Sequence, residues 1–197
     1  SPQRKIRKPV PRKLAKNRIV TGPNQMWQMD INYGYVVKKR RHFFVANIID
    51  VFDRQIVGYF RGRSCHTQDI VRTLQKAMLK REIHLQAHQL VIRTDNGPQF
   101  TSKVFRAFVE QSNIEHERIP NNTPNMNAYV ESFHAILEQE CFQRHIFESF
   151  EDAYMEVDQF MDFYNHRRLH GSLKDRPPSE YFELIQSKKL QPPKMAL

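Results

Sequence analysis

A run of seven residues, Phe43-Phe44-Val45-Ala46-Asn47-Ile48-Ile49, is apolar at every position except one. A strand with one face in water alternates apolar and polar residues, whereas a strand covered on both faces is apolar almost throughout. The run therefore predicts a strand buried between two layers of an α/β domain. With 197 residues, the chain is long enough for one such domain with appendages.

The segments around this run predict three strands, a helix, a strand, a helix, a strand and then further helices. The predicted strands span residues 27–37, 42–50, 55–61, 90–93 and 115–119. Thr67, Ser102 and Ser149 are candidate caps for the helices that follow them. Residues 120–125 are dense in turn formers and predict a mobile loop. This order favours an α/β fold with a five-stranded mixed sheet flanked by helices.

Three carboxylates stand out against this framework. Asp30 lies inside the first predicted strand although aspartate is depleted in strands, Asp95 follows the fourth strand, and Glu131 lies in an amphipathic helical run. Each has a structural explanation: a solvent-facing strand residue, a turn at Asn-Gly, or a solvated helix glutamate. If the fold brings them together, however, they form a two-metal site for phosphoryl transfer.

Four segments resemble DDE transposases and retroviral-type integrases, and in particular the bacterial insertion-sequence-3 family. Thirty-five residues separate Asp95 from Glu131, which is the usual spacing of that family. The resemblance spans about residues 23–183, with its motifs in the expected order. The segments that carry it are 49–58 (IDVFDRQIVG), 95–102 (DNGPQFTS), 127–133 (NAYVESF) and 164–173 (YNHRRLHGSL).

The resemblance implies a ribonuclease-H-like fold and a transposase catalytic domain that cleaves and joins DNA at transposon ends. Asp30, Asp95 and Glu131 would be the catalytic residues and would bind Mg²⁺, for which Mn²⁺ would substitute. The implied partners are transposon-end DNA, target DNA and further copies of the chain on paired ends, with no small-molecule cofactor and no membrane. A cytoplasmic, nucleoid-associated location in bacteria would follow.

Basic residues are concentrated at the beginning of the chain. The net charge is +10, and residues 1–20 contribute eight basic residues and no acid. We therefore divide the chain into a basic arm or linker (1–22), a catalytic core (23–185) and a tail (186–197). The arm is either a solvated linker or a DNA-binding arm, and six of its side chains are candidate phosphate contacts: Arg4, Lys5, Arg7, Lys8, Arg12 and Lys13. Because the chain begins at Ser1, we expect it to be a fragment.

Within the predicted core, the resemblance implies DNA contacts by Asn127, Arg168 and His170. Basic residues near a helix end could instead stabilise the helix dipole. Zinc binding by His166 and His170 would need further ligands, and no cysteine is near. Glu138 departs from the family pattern, because a lysine or arginine that approaches DNA usually occupies that position. The acid puts this one DNA contact in doubt.

Three other functions remain open at this point: a retroelement-type integrase, a ribonuclease-H-like nuclease, and a non-catalytic DNA-binding module on the same fold. The segment 164–173 favours the bacterial transposase over the first two. The presence of all three carboxylates favours a catalytic domain over the third. Cys65 and Cys141 form no metal-ligand motif, and a reduced intracellular setting fits them.

Overall fold

The computed structural model describes residue 15, residues 17–120 and residues 124–196. Two short strands, β1 (Ile19–Val20) and β7 (Met195–Ala196), pair with each other. The central sheet has five strands in the order β4-β3-β2-β5-β6 and confirms the predicted mixed sheet. Each of its strands begins and ends within one residue of the prediction: β2 (Met26–Val36), β3 (Arg41–Asp50), β4 (Ile56–Gly62), β5 (Val91–Thr94) and β6 (Glu115–Arg118).

Helices cover both faces of the sheet. Their bounds are α1 (Thr67–Lys80), α2 (Pro98–Thr101), α3 (Lys103–Gln111), α4 (Ala128–Glu140), α5 (Phe150–His166) and α6 (Pro178–Gln186). Ala46 and Ile48 of β3 pack with side chains of α1 and α3. Phe43 and Val45 pack on the other face, with side chains of α4 and α5. The apolar run is therefore buried on both sides, as its composition predicts.

Two of the three predicted helix caps are confirmed. Ser102 accepts a hydrogen bond from the backbone N–H of Phe105, and Ser149 accepts one from Asp152. The expectation for Thr67 is wrong, because Thr67 is already the first helical residue and His66 precedes it as the cap. The hydroxyl of Thr67 instead faces the carbonyl of Gln99, at 3.4 Å.

The segments before and after the core pack against it. The guanidinium of Arg18 contacts the buried carboxylate of Glu117 at 2.6 Å and also pairs with Glu115. The strand β1 pairs with β7. The contacts of Arg18 also bring β1 close to β6, which is an edge strand of the central sheet. Residues 1–14 and 16, which include the six predicted phosphate contacts of the arm, lie outside the described residues. No helix in the described part of the chain is both long and apolar enough to cross a membrane.

Candidate active site

Two of the predicted site carboxylates lie side by side at the centre of the sheet. β2 and β5 are parallel neighbours, and Met29 is paired with Thr94 at the end of the ladder. Asp30 and Asp95 are the next residue of each strand. Neighbouring strands lie about 4.8 Å apart, so the backbone places the two carboxylates next to each other where the pairing of β2 with β5 ends. This strand order is the one that the resemblance to a ribonuclease-H-like fold implies, and it is sufficient to place them together.

The turn after β5 fixes the Asp95 side chain. Its Oδ1 accepts a hydrogen bond from the backbone N–H of Gly97 at 2.8 Å. A Cβ on Gly97 would lie 3.0 Å from the same oxygen, so a larger residue would crowd the carboxylate. Asn96 ties the turn to β6 by donating to the carbonyl of Ile119 at 2.9 Å. Pro98 then begins α2.

Glu131 lies in the first turn of α4, and this helix is held to the sheet by Gln28. The side-chain oxygen of Gln28 accepts hydrogen bonds from the backbone N–H groups of Tyr129 and Val130, both at 3.1 Å. Its amide nitrogen donates to the carbonyl of Met126 at 3.2 Å. The first backbone N–H groups of a helix have no partner within it, so Gln28 acts as a cap from a distant strand.

A buried arginine supports the same backbone segment. Arg93 is paired with Gln28 across β2 and β5 and is 1% exposed. It donates to the carbonyl of Met126 at 3.0 Å and forms an ion pair with Glu117 at 3.1 Å. Neither Gln28 nor Arg93 is among the site residues that the sequence predicts. The available signal was their position two residues before Asp30 and Asp95, which places each on the same strand face as the carboxylate.

His134 and Asn47 border Asp30 on the side of β3. Asp30 is paired with Asn47 across β2 and β3. The amide nitrogen of Asn47 lies 3.2 Å from Nε2 of His134 and 3.3 Å from the carbonyl of Val45. Burial lowers the pKa of His134 to about 4, so the ring is neutral at pH 7. Because Nε2 accepts from Asn47, the proton lies on Nδ1, which is 3.6 Å from Oδ2 of Asp30.

The electrostatics of Asp30 favour a cation nearby. Burial is the main cause that raises its pKa, and the charges of Asp95 and Glu131 raise it further, to about 7. His134 is the basic side chain within ion-pair distance among the described residues, and it is neutral. The three acids therefore act on one another without a compensating positive charge. A bound divalent cation would favour their ionised forms.

The donor set fits Mg²⁺ or Mn²⁺ in chemistry, because hard cations prefer carboxylate oxygens. Within the ranges that the structure describes, however, no three His, Cys, Asp or Glu side chains lie close enough to hold a metal ion together. Asp30 and Asp95 are placed by the sheet, whereas Glu131 is an exposed side chain on α4. Convergence of all three thus requires Glu131 to turn toward the strand carboxylates.

The other predicted site residues that the structure describes are buried or already paired. Asn127 is 1% exposed and precedes α4, and its side-chain oxygen has no hydrogen-bond partner within the described chain. Arg168 forms a bidentate ion pair with Glu140 at 2.6 to 3.1 Å. His170 is buried against the ring of Tyr164, with 4.8 Å between centroids, and burial lowers its pKa to about 4. Their DNA contacts stay predictions.

Replacing Gln28 with leucine is expected to lower the free energy of unfolding by about 1–3 kcal/mol, because two buried N–H groups of α4 lose their acceptor. Amide hydrogen exchange at Tyr129 and Val130 should accelerate. Gln28→Glu keeps the acceptor and should retain most of the protection. Asn32→Ala is the matched control on the same strand, since Asn32 bonds to the adjacent backbone N–H and not to α4. Unchanged exchange in Gln28→Leu would show that α4 is held by other contacts.

Comparisons with known proteins relate the sequence to family models and to individual relatives. Two family models described as integrase core domain match residues 20–124 and 112–178. An uncharacterised 39.2 kDa protein of insertion element IS476 from Xanthomonas euvesicatoria is 32% identical over 91% of the chain and 50% of its own length. A transposase for insertion sequence element IS904 from Lactococcus lactis is 30% identical over 82% of the chain and 62% of its own length. The chain thus spans about half to two thirds of these relatives.

Solved structures confirm the ribonuclease-H-like fold. A chain of the simian T-cell lymphotropic virus intasome, in complex with a PP2A regulatory subunit, superposes with a TM-score of 0.66 and 19% identity, covering 87% of this chain and 59% of the viral chain. The HTLV-2 integrase catalytic core domain in complex with magnesium gives a TM-score of 0.53 and 16% identity, covering 82% of this chain and 97% of the viral one. At these identities the likeness concerns the fold.

Proposed function

Because the chain belongs to the integrase core domain family, we propose that it is the catalytic domain of an insertion-sequence transposase that performs metal-dependent DNA cleavage and strand transfer. The observation that carries the proposal is the adjacency of Asp30 and Asp95 at the ends of paired parallel strand segments. The named relative from Lactococcus lactis is a transposase, which favours this function over a retroelement integrase. The substrates would be the ends of the element and a target duplex.

The proposed metal ligands are Asp30, Asp95 and Glu131, with Mg²⁺ as the ion and Mn²⁺ as a substitute. The magnesium complex of the HTLV-2 integrase core supports this choice by analogy of fold. Divalent ions bound there would activate a water or a DNA 3′-hydroxyl and stabilise the leaving oxygen. The protein needs no covalent nucleophile for this chemistry.

The residues around the carboxylates have distinct proposed roles. Gln28 and Arg93 hold the backbone that leads into α4, and thereby set the height of Glu131 above the sheet. Gly97 leaves room beside Asp95 and orients its carboxylate. His134 borders Asp30 as a neutral ring, so it adds no charge that would compete with a cation. Multimers on paired DNA ends and a cytoplasmic, nucleoid-associated location belong to the same proposal.

A joining assay with a metal titration tests this function. Duplex oligonucleotides carrying the ends of the element should be cleaved and joined to a target in Mg²⁺ or Mn²⁺, and should be only bound, not joined, in a chelator. A non-catalytic module would bind DNA equally with and without metal and would never join it. A nuclease would cut the duplex without transferring a 3′ end. Either result would replace the proposed function.

A further inference from the structure

The turn between β2 and β3 is a concentrated positive patch outside the carboxylate site. It contains four consecutive basic residues, Lys38-Lys39-Arg40-Arg41, and every residue from 37 to 42 is exposed. The pairing of β3 with β4 ends at Phe44, and the pairing of β2 with β5 is limited to residues 26–29. The end of the hairpin therefore projects beyond the sheet as a two-stranded extension.

Most of this charge has no ion-pair partner among the residues that the structure describes. Lys38 forms an ion pair with Glu148 at 2.5 Å, and both side chains are more than half exposed. Lys39, Arg40 and Arg41 form no ion pair with any residue that the structure describes. Three adjacent like charges repel one another, so their arrangement favours binding of a negatively charged partner.

The base of the hairpin is packed against the segment that follows α4. The backbone N–H of Val37 donates to the carbonyl of Phe147 at 2.9 Å. The ring of Phe43 covers Gly34 so closely that a Cβ there would lie 2.1 Å from it, and Phe43 also packs edge-to-face against Phe142. These contacts fix where the backbone of the hairpin leaves the sheet, so less backbone entropy is lost when the tip binds a ligand.

The hairpin and the candidate active site share strand β2. Seven positions separate Asp30 from Val37, which corresponds to about 23 Å of extended strand. The helix α4 follows the same path, because Gln28 contacts its first turn and Phe43 contacts Phe142 just beyond its end. A B-form duplex rises about 3.4 Å per base pair, so 23 Å corresponds to about seven base pairs.

We propose that the tip formed by Lys38–Arg41 binds the phosphate backbone of duplex DNA about seven base pairs from the reacting phosphate. This inference rests on the proposed function, which places the reacting phosphate at Asp30 and Asp95. Glu138 lies in the groove at the base of the hairpin, beside Tyr35 and His145.

Composition favours DNA over a protein partner for this surface. Lysine is depleted in the cores of protein interfaces, whereas lysine and arginine supply many of the contacts to DNA phosphates. The tip also lacks a large apolar anchor, since residues 38–41 are all basic. Phosphate contacts would hold the duplex in position without reading its sequence.

A charge-removal variant tests the proposal. Lys39→Gln, Arg40→Asn and Arg41→Gln together remove three charges, and asparagine suits position 40 because φ there is 50°. The matched control, Arg72→Gln, Lys76→Gln and Lys80→Gln, removes three exposed charges from α1. Affinity of each chain for a duplex longer than twenty base pairs is measured at several salt concentrations. A chelator removes divalent ions in every measurement, so the assay reports DNA binding without cleavage or joining.

The slope of log affinity against log salt is negative. The tip variant should reduce its magnitude by about 2.7, because each phosphate contact contributes about 0.9. Between 50 and 200 mM salt, the affinity of the unaltered chain would then fall about 40-fold more than that of the variant. The control should keep the original slope. Equal slopes for the tip variant and the control would overturn the proposal.

A cross-linking experiment locates the contact. Lys39→Cys introduces an exposed thiol, whereas Cys65 and Cys141 are both buried. Duplexes carrying a thiol tethered to one defined phosphate should give a disulfide that peaks about seven base pairs from the reacting end. Cross-linking spread evenly along the duplex would contradict the assigned position. Joining by the unaltered chain is measured separately, so failure of the proposed function and failure of the tip give different results.

Discussion

Replacing Asp95 with asparagine is expected to abolish Mg²⁺-dependent joining, with a loss in rate of at least about a thousandfold. Loss of a metal ligand removes several kcal/mol of transition-state stabilisation, and each 1.4 kcal/mol corresponds to about a factor of ten. Asparagine keeps the oxygen that accepts from Gly97, so the turn after β5 should persist. Rates of strand transfer under single-turnover conditions measure the effect.

The carboxylate Asp30 should behave in the same way, with an additional effect on stability. Asp30→Asn is expected to abolish joining and, without metal, to raise the free energy of unfolding by an amount that grows from about pH 4 to about pH 7 and then stays constant. The reason is that burial and the neighbouring acids raise the pKa of Asp30 to about 7, so its ionised form opposes folding at higher pH.

Two controls separate chemistry from binding and from folding. Glu110→Gln removes one exposed carboxylate from α3 and should leave joining unchanged. Affinity of Asp95→Asn for end DNA in a chelator should stay close to that of the unaltered chain. Strand transfer retained by Asp95→Asn would refute its assignment as a metal ligand.

The strands were predictable because they depend on local patterns, such as the apolar run in β3. The adjacency of Asp30 and Asp95 depends instead on the sheet order, in which β5 lies next to β2, and that order was implied by the family resemblance and not by any local pattern. In α4, Phe133 and Leu137 are buried and Glu131 is exposed, as the helical period indicates. In α4, the pattern along the segment is thus enough to predict which side chains are buried.

The contacts that hold α4 could not be predicted in this way, since they join residues far apart in sequence. Gln28 and Val130 are separated by 102 positions, and neither residue type suggests the bond. Arg168 likewise lies in a motif that predicts a DNA contact. Its ion pair with Glu140 depends on the packing of α4 against the segment after α5, which the motif does not indicate. The cap of α1 is His66 and not the predicted Thr67, because residue preferences locate the start of a helix only to within one or two positions.

A second large effect is expected at Arg81, which lies in a buried cluster of charges at the end of α1. Arg81 forms a bidentate ion pair with Asp53 at 2.9 and 3.2 Å and lies 3.8 Å from Asp50. Both aspartates are fully buried. Asp50 also accepts from the indole N–H of Trp27 at 3.1 Å, so the cluster joins α1 to the beginning of β2 and the turn after β3.

Arg81→Met is expected to lower the free energy of unfolding by about 3–5 kcal/mol, because it leaves buried carboxylates without a cation. Chemical denaturation monitored by circular dichroism measures the loss. Arg61→Met is the matched control. Arg61 also forms a bidentate pair, with Asp158, but both side chains are about one third exposed, so the loss should stay near 1 kcal/mol or less.

The pH dependence of the variant distinguishes charge burial from lost packing. Burial and the charge of Asp50 raise the pKa of Asp53, and Arg81 opposes them. Removal of Arg81 would raise the pKa of Asp53 still further above its unfolded value, so the stability deficit of Arg81→Met relative to the unaltered chain should shrink as the pH is lowered. Adding Asp53→Asn should restore part of the loss at pH 7. If the deficit is independent of pH and of Asp53, its cause is instead the contact of Arg81 with the ring of Phe182.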